Sequence, residues 1–384
     1  MISKSKFVET VIIGGGASGL MAGAMMKNKD FLILEGNHKV GHKILISGGA
    51  KCNITNKRVS QNNYLGDKIF IKQVLNQFNN HKVVEWFSSQ NLELILKNEY
   101  QYFCKDGSIR VVDILTSHID SKSILTNTKV KSVSKKDDFF LIETSNGSFQ
   151  SKNLIVASGG LSYSSIGATD IGYKIATSFS HSIVTPSPAL VGFTLQKEQS
   201  IFKDLSGVSS EVILKVEDKK FQGSLLFAHK GLSGPAILNA SLYWKKGMIG
   251  IDFLPNLLLN SIKSSKKLIS NSLNLPSRLS KVLLELLKIE DIPCNKLTKN
   301  NWLALEGLHD YRFSPAGNFG YTKAEVTRGG VDTKEIDSST MMSKKIDNLY
   351  FLGEVLDVTG ELGGYNFQWA FSSAVVCARG ILKS

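Results

Sequence analysis

The chain has 384 residues, 42% of them apolar and 21% charged, which excludes a disordered protein and leaves room for two or three domains with full cores. The formal net charge is +13, but the cations are scattered, with no run of five or six and no basic stripe interleaved with aromatics. The charge therefore reads as solubility and compositional bias, and nucleic acid is not the expected partner.

Four cysteines, Cys52, Cys104, Cys294 and Cys377, lie far apart without a C-x-x-C. That spacing fits neither a disulfide framework nor a zinc site, so no metal is expected and a reducing cytoplasm is the expected location. Lys4 and Lys6 before an apolar run imitate a signal peptide. Glu9 and three consecutive glycines interrupt that run, and no uncharged apolar stretch reaches the 18 residues or so of a membrane span.

The first element is the most informative. The apolar run Phe7–Ile13 leads into Gly14-x-Gly16-x-x-Gly19, and the apolar helical stretch Leu20–Met26 follows. Strand, tight turn and helix in that order form a dinucleotide fingerprint. Gly14 permits the turn, Gly16 lets backbone approach a pyrophosphate, and Gly19 lets the helix pack on the strand. The N–H groups and positive end of the helix, at Ala17 and Ser18, would face the phosphates. A second strand, Phe31–Leu34, ends in Glu35, at the distance where a carboxylate accepts the ribose hydroxyls of an adenosine.

From Gly36 to Asn56 the chain is rich in Gly, small polar residues and Lys, without periodicity, and reads as a loop laid against a flat ligand. Its candidate contacts are Gly36, Lys43, Ser47, Gly48, Gly49, Asn53 and Thr55. Ile69–Gln90 has helical spacing, Asn91–Phe103 suggests strands, and a helical piece runs from Val111 to about Ser121. Thr128–Val133, Phe139–Thr144 and Ser148–Ser151 read as a three-stranded ribbon, turned at Asp137-Asp138 and Asn146-Gly147. A separate buried strand from Asn153 ends in Ala157-Ser158-Gly159-Gly160, small enough to pass under a nucleotide. Leu161–Asp170 is expected to open a helix through Phe179.

The style changes near Thr185-Pro186-Ser187-Pro188. Short strands follow, at Val191–Leu195, Glu211–Val216 and Met248–Phe253, with a helix capped by Ser233 and begun by Pro235. From Pro255 to about His309 the pattern turns helical. The chain then returns to its opening style, with a strand Ala324–Val331, a buried strand Ile346–Leu352 ending in Gly353-Glu354, and a helix led by Gly363-Gly364 and running to Gly380. Two halves of one nucleotide site at opposite ends of a chain imply an insertion. The expected divisions are 1–187 and 317–384 for the nucleotide domain, 188–254 for a β-rich insertion and 255–316 for a helical subdomain.

Gly14–Gly19 with Glu35, Ser47-Gly48-Gly49-x-x-Cys52-Asn53-x-Thr55-Asn56, Ala157–Gly160, Phe227–Pro235, Ala324–Val331 and Gly353–Gln368 together resemble the BaiN-type (YhiN-like, also called RdsA-type) FAD-dependent oxidoreductases, nearly end to end. His42 and Cys104 depart from the family pattern, which often has Arg at the first position and Pro at the second. The resemblance implies an α/β fold with a Rossmann-like FAD-binding domain of the glutathione-reductase and fumarate-reductase type. It implies noncovalent FAD, with the ADP part on Gly14–Gly19 and Glu35, adenine beside Val130, and Ser158–Gly160 closing over the nucleotide. Glu354 would hold a ribityl hydroxyl. Gly363, Gly364, Tyr365 and Asn366 would face the flavin's pyrimidine edge, where a helix N-terminus stabilises the anionic reduced flavin.

The flavin would carry the redox step and the protein would orient it. The family implies NAD(P)H as donor, although no second strand–G-x-G-x-x-G–helix unit is present for it. Members are tied to C=C reduction in steroid-like enones, and others to amine oxidation, so a small-molecule substrate is expected. A flavoprotein that modifies tRNA or binds RNA is the alternative that +13 would suit, and a flavin-binding protein without turnover is another. Tyr163, His229, Arg328 and Tyr365 are candidates to polarise or protonate a substrate. Cys52, without a partner nearby in sequence, is read as a packing residue.

Overall fold

Strand β1 (Lys6–Ile13) buries Val8, Val11, Ile12 and Ile13 and turns directly into helix α1 (Ala17–Met25). The helix starts at Ala17 because Gly16 before it is extended. Strand β2 (Phe31–Leu34) is buried at all four positions, as expected of a parallel strand covered on both faces. This is a computed structural model, and it describes residues 6–383.

The stretch after Glu35 is not all loop. It holds a five-residue helix, α2 (His42–Ile46), and a strand, β3 (Asn53–Asn56). Elements this short carry too few apolar positions to show a period. The expected single helix over Ile69–Gln90 is two, α3 (Lys68–Gln77) and α4 (Asn80–Ser89). Asn79 breaks them apart by accepting the Lys82 N–H on its side chain, as an N-cap does. Strands β4 (Leu94–Lys97) and β5 (Gln101–Cys104) form an antiparallel hairpin, and β3 pairs antiparallel with β5.

Strands β6 (Val130–Lys136) and β7 (Phe139–Thr144) make the ribbon. Its third strand and the buried strand after it are one element, β8 (Gly147–Val156). The whole of β8 from Phe149 pairs parallel with β1, while its other edge is shared. The first half pairs antiparallel with β7, and Leu154–Val156 pairs parallel with β10 (Leu349–Phe351). The resulting sheet runs Ile124–Leu125, β2, β1, β8, β7, β6, with β10 attached to β8. Residues 161–170 do not open a helix. Tyr163 and Gly167 take positive φ around a short 3₁₀ turn, and helix α5 begins only at Ile171 (Ile171–Ser178). Strand β9 (Val326–Val331) pairs with Ile183–Ala189, and helix α6 (Tyr365–Lys383) packs against α1. This is an α/β fold of Rossmann type, with head and tail of the chain in one sheet.

Contacts divide the chain into two units, residues 1–188 with 326–384, and residues 189–325. The second unit has its own antiparallel sheet, ordered Tyr311–Phe313, Ile249–Asp252, Ser209–Val216, Lys219–Ala228, Gly231–Ser233, Phe193–Thr194, Gly317–Asn318. Ser233 is not a cap. It ends a strand, and Gly234, at φ +93, precedes the helix Pro235–Tyr243, since a Cβ there would meet Ser224 O at 2.6 Å. The helices Ile269–Ser272, Ser277–Leu286 and Lys299–Glu306 lie on the excursion between the paired strands Ile249–Asp252 and Tyr311–Phe313. Among the described residues no helix is long and apolar enough to cross a membrane.

Within the first unit, His181 after α5 is buried and bonds through Nε2 to Ser343 Oγ at 2.8 Å, joining the two sequence segments of that unit. Burial lowers its pKa below the ordinary 6.5, opposed by nearby Glu335. The fold thus favours neutral imidazole. Its contribution is complete above the unfolded pKa and is lost as pH falls through the folded one. The urea midpoint of the parent should fall further than that of His181→Gln between about pH 7.5 and about pH 5, and equal falls would refute this role.

Candidate functional site

The glycine turn after β1 is packed to contact on one side. A Cβ on Gly14, whose φ is +106, would lie 2.5 Å from Ala157 O, and one on Gly19 would lie 1.9 Å from Gly14 O. The other side is open, with nothing within 4 Å of a Cβ on Gly16 or on Gly159. Ala157–Gly160, at the end of β8, therefore borders the same turn as Gly14–Gly19. Glu35 braces the turn, its Oε2 accepting the Gly15 N–H at 2.8 Å and its Oε1 accepting from Asn37 N and Nδ2 at 2.8 and 2.9 Å. Oε1 is thereby saturated, and Oε2 keeps one lone pair for a further donor. Thr128 N donates to Glu35 O, and Gly36 packs on Lys129, which brings Val130 to the same corner.

Gly41 N donates to Gly15 O at 2.8 Å, and that bond brings α2 and Lys43 to the turn. Lys43 Nζ pairs with Glu354 Oε2 at 2.5 Å, across 311 residues of sequence. The other oxygen of Glu354 accepts the Thr327 N–H at 2.8 Å. Thr327, which the sequence did not single out, organises the next layer. Its Oγ1 accepts from Leu161 N at 2.8 Å and Ser162 N at 3.1 Å, and a Cβ on Gly160 would lie 2.5 Å from it. Ser158 packs under α5, where a Cβ on Gly172 would fall 2.1 Å from Ser158 Oγ. Gly353, at φ +68, is held by α6, its N–H donating to Ser373 Oγ and its carbonyl accepting from Trp369 Nε1, both at 3.1 Å. Ser18 faces it, since a Cβ on Gly353 would lie 2.7 Å from Ser18 Oγ.

The start of α6 is clamped by β3. Asn53 faces the Gly364 N–H at 3.1 Å, and Asn56 Nδ2 donates to Gly363 O at 3.0 Å. Thr55 Oγ1 donates to Gln368 Oε1 at 2.5 Å. Asn366 closes the preceding turn, exchanging two 2.9 Å bonds with Gly360. Ser47 caps the end of α2 and accepts the Cys52 N–H on its carbonyl, while Gly48 lies against the Phe103 ring and Gly49 is open. No neighbour within the helix serves the first N–H groups of α6, so that end attracts negative charge.

The catalytic candidates fall on different elements. Tyr163 is half-buried at φ +61, with Lys43 Nζ 5.9 Å from its ring centre. Tyr365 is the first residue of α6, and its carbonyl accepts from Tyr64 Oη at 2.9 Å. Burial, aided by Glu361 and opposed by Arg58, pushes its phenol up to about 12. Arg328 lies on β9 and donates from Nε to Ser187 Oγ at 3.1 Å. His229 belongs to the other unit and is exposed in the turn between Lys219–Ala228 and Gly231–Ser233. Cys52 is fully buried, and burial pushes its thiol up to about 12 against a bond from Ser47, which fits a packing role and not a reactive thiolate.

Gly364→Ala tests the clamp. At φ +92 its new Cβ would meet Asn53 Oδ1 at 2.6 Å and Thr55 O at 2.7 Å, so a loss of about 1–3 kcal/mol in unfolding free energy is expected by thermal denaturation. A midpoint unchanged from the parent would show that β3 does not hold the helix start.

Residues 8–380 match the family model described as HI0933-like protein Rossmann domain. The chain is 39% identical over 399 residues to a ribosomal RNA dihydrouridine synthase of Haemophilus influenzae, covering 99% of this chain and 100% of that one. The Escherichia coli protein of the same name is 36% identical, at 98% coverage of both. A 3-dehydro-bile acid delta(4,6)-reductase of Clostridium scindens is 29% identical, covering 96% of this chain and 97% of that one. Among solved structures, an open flavocytochrome c3 fumarate reductase aligns with a TM-score of 0.47 at 16% identity, over 98% of this chain and 77% of that chain. The chain belongs to the HI0933-like Rossmann-domain family, the BaiN- and RdsA-type flavoprotein oxidoreductases whose motifs it carries.

Proposed function

We propose that this chain is an FAD-dependent reductase that uses NAD(P)H to saturate the 5,6 double bond of a uridine in ribosomal RNA. The observation that carries the substrate is the end-to-end likeness to two proteins named ribosomal RNA dihydrouridine synthases. The more distant bile acid reductase is named for the same kind of chemistry, saturation of a conjugated C=C bond. This reading replaces the expectation that nucleic acid is not a partner. Scattered charge in a sequence says little about where the cations meet in the fold.

The residues present fit FAD. A cradle closed on one side by Gly14 and Gly19 and open at Gly16 and Gly159 suits a pyrophosphate at the start of α1. Glu35 would take the adenosine ribose with the lone pair left on Oε2, and Gly36 and Val130 would flank the adenine. Lys43 and Glu354, paired and only partly exposed, would meet the ribityl chain, with Thr327 fixing the carboxylate. Gly363–Asn366 would present the positive end of α6 to the pyrimidine edge. When bound, FAD supplies hydride chemistry between NAD(P)H and the substrate. Saturation would place a hydride on C6 of uracil and a proton on C5, with NAD(P)H as the hydride source becoming NAD(P)⁺. Tyr365, whose phenol keeps its proton at neutral pH, would serve as a donor and not as a base.

Three measurements test this. Gly16→Ala should fold with a stability within about 0.5 kcal/mol of the parent, since its Cβ meets no protein atom, yet take up FAD at least about tenfold more weakly. Equal FAD uptake would remove the pyrophosphate from that cradle. Anaerobic NADH or NADPH should bleach the yellow holoprotein. Ribosomal RNA from cells lacking the gene should then gain dihydrouridine, read by mass spectrometry, when incubated with the protein and donor. Bleaching with saturation of a steroid-like enone and no change in RNA would instead favour the bile-acid type of substrate.

A further inference from the structure

We propose that the three-stranded sheet β3–β5–β4 is the surface on which the single-stranded RNA flanking the target uridine docks, an inference that rests on the RNA reading above. The sheet lies against the start of α6. Asn56 Nδ2 bonds to Gly363 O, and Asn53, with its amide oxygen accepting the Gly364 N–H, donates its Nδ2 to Tyr102 O of β5 at 3.2 Å. Whatever the sheet holds is therefore held next to the proposed flavin edge.

The surface alternates cations and rings. Arg58, exposed just after β3, lies over the part-exposed Tyr100 ring at 4.2 Å, the part-exposed Tyr102 stands beside it on β5, and Lys97 at the end of β4 covers the buried Phe103 ring at 4.5 Å. Lys57 N bonds to Tyr100 O at 2.6 Å, so the exposed Lys57 side chain belongs to the same rim. Leu96 beside Lys97 is 47% exposed, an apolar position open to a base. No carboxylate occurs from Gly36 to Gly66, a stretch with five cations, Lys39, Lys43, Lys51, Lys57 and Arg58. The acids nearby are Glu361, whose effect on Tyr365 is opposed by Arg58, Glu99 in the β4–β5 turn, Asp106, and Glu93, which pairs with Lys105 at 2.7 Å. Single strands bind such surfaces by stacking bases on aromatic and guanidinium faces while cations meet the phosphates. A basic, ring-bearing sheet is complementary to RNA and not to a basic or apolar protein surface.

The test uses the FAD-loaded full chain and a ribosomal RNA fragment containing the target uridine. The variant is Lys57→Gln, Arg58→Gln and Lys97→Gln together. Expected is a rise of at least about tenfold in KM for RNA, and a salt dependence of binding about 2 shallower in log–log slope. The rate of bleaching by NAD(P)H should stay within about twofold of the parent, which excludes misfolding. An unchanged KM and slope would overturn the assignment. A second measurement needs no variant. Photo-crosslinking of the parent to RNA carrying 4-thiouridine beside the target should label peptides spanning residues 51–58 or 97–103, and crosslinks confined to other peptides would overturn it. If the parent neither binds nor modifies RNA, the RNA reading itself fails, and that result is distinct from an active parent whose variant is unaffected. If a protein partner protected this sheet while RNA did not, the surface would belong to protein assembly instead.

Discussion

Gln368 is fully buried near the start of the last helix, and the candidate site depends on how its amide is satisfied. Its oxygen accepts from Thr55, and its Nε2 donates to Phe78 O at 3.1 Å and to Ser372 Oγ at 2.8 Å. A buried amide left without partners costs about 1–3 kcal/mol, so these bonds fix the helix in one position against β3 and the end of α3. That position sets where the α6 N-terminus points. It also aims Trp369 and Ser373 at the two ends of the Gly353 residue, and Gly353 in turn meets Ser18 at the start of α1.

The glycines are the second constraint, and they act in two different ways. Gly14, Gly19, Gly160 and Gly364 are needed because backbone or side-chain atoms stand where a Cβ would go. Gly16 and Gly159 have open space there instead. Protein packing explains the first group, a left-handed backbone at φ +74 requires Gly159, and Gly16 is the extended N-cap of α1 with open space beside it. The contrast separates residues that build the turn from residues that leave room beside it.

Charge at the site is balanced locally. Lys43 and Glu354 form a partly buried pair, and the Thr327 N–H adds a second partner to the carboxylate. Neutralising each other, they leave the positive ends of α1 and α6 as the main fields at the candidate site. The net charge of +13 lies elsewhere, and part of it gathers on the β3–β5–β4 rim through pairs such as Arg58 with Tyr100, which are distant in sequence.

The sequence by itself determined the first βαβ unit, since strand, glycines, helix and the acid at Glu35 follow one another with local periods and spacings that need no distant partner. It also determined that the chain returns to that unit at Gly353–Gln368, and the family those motifs mark. It did not show that β8 is one strand, because the ribbon half alternates and the buried half does not, and only the split pairing with β7 and β10 joins them. Helix α2 and strand β3 were hidden for want of length. Thr327 was hidden because a threonine in a strand looks like any other until its hydroxyl is seen accepting Leu161 and Ser162. Tertiary structure decided these features because each rests on a bond between residues far apart in the chain, and local sequence carries no record of such a bond until folding brings the partners together.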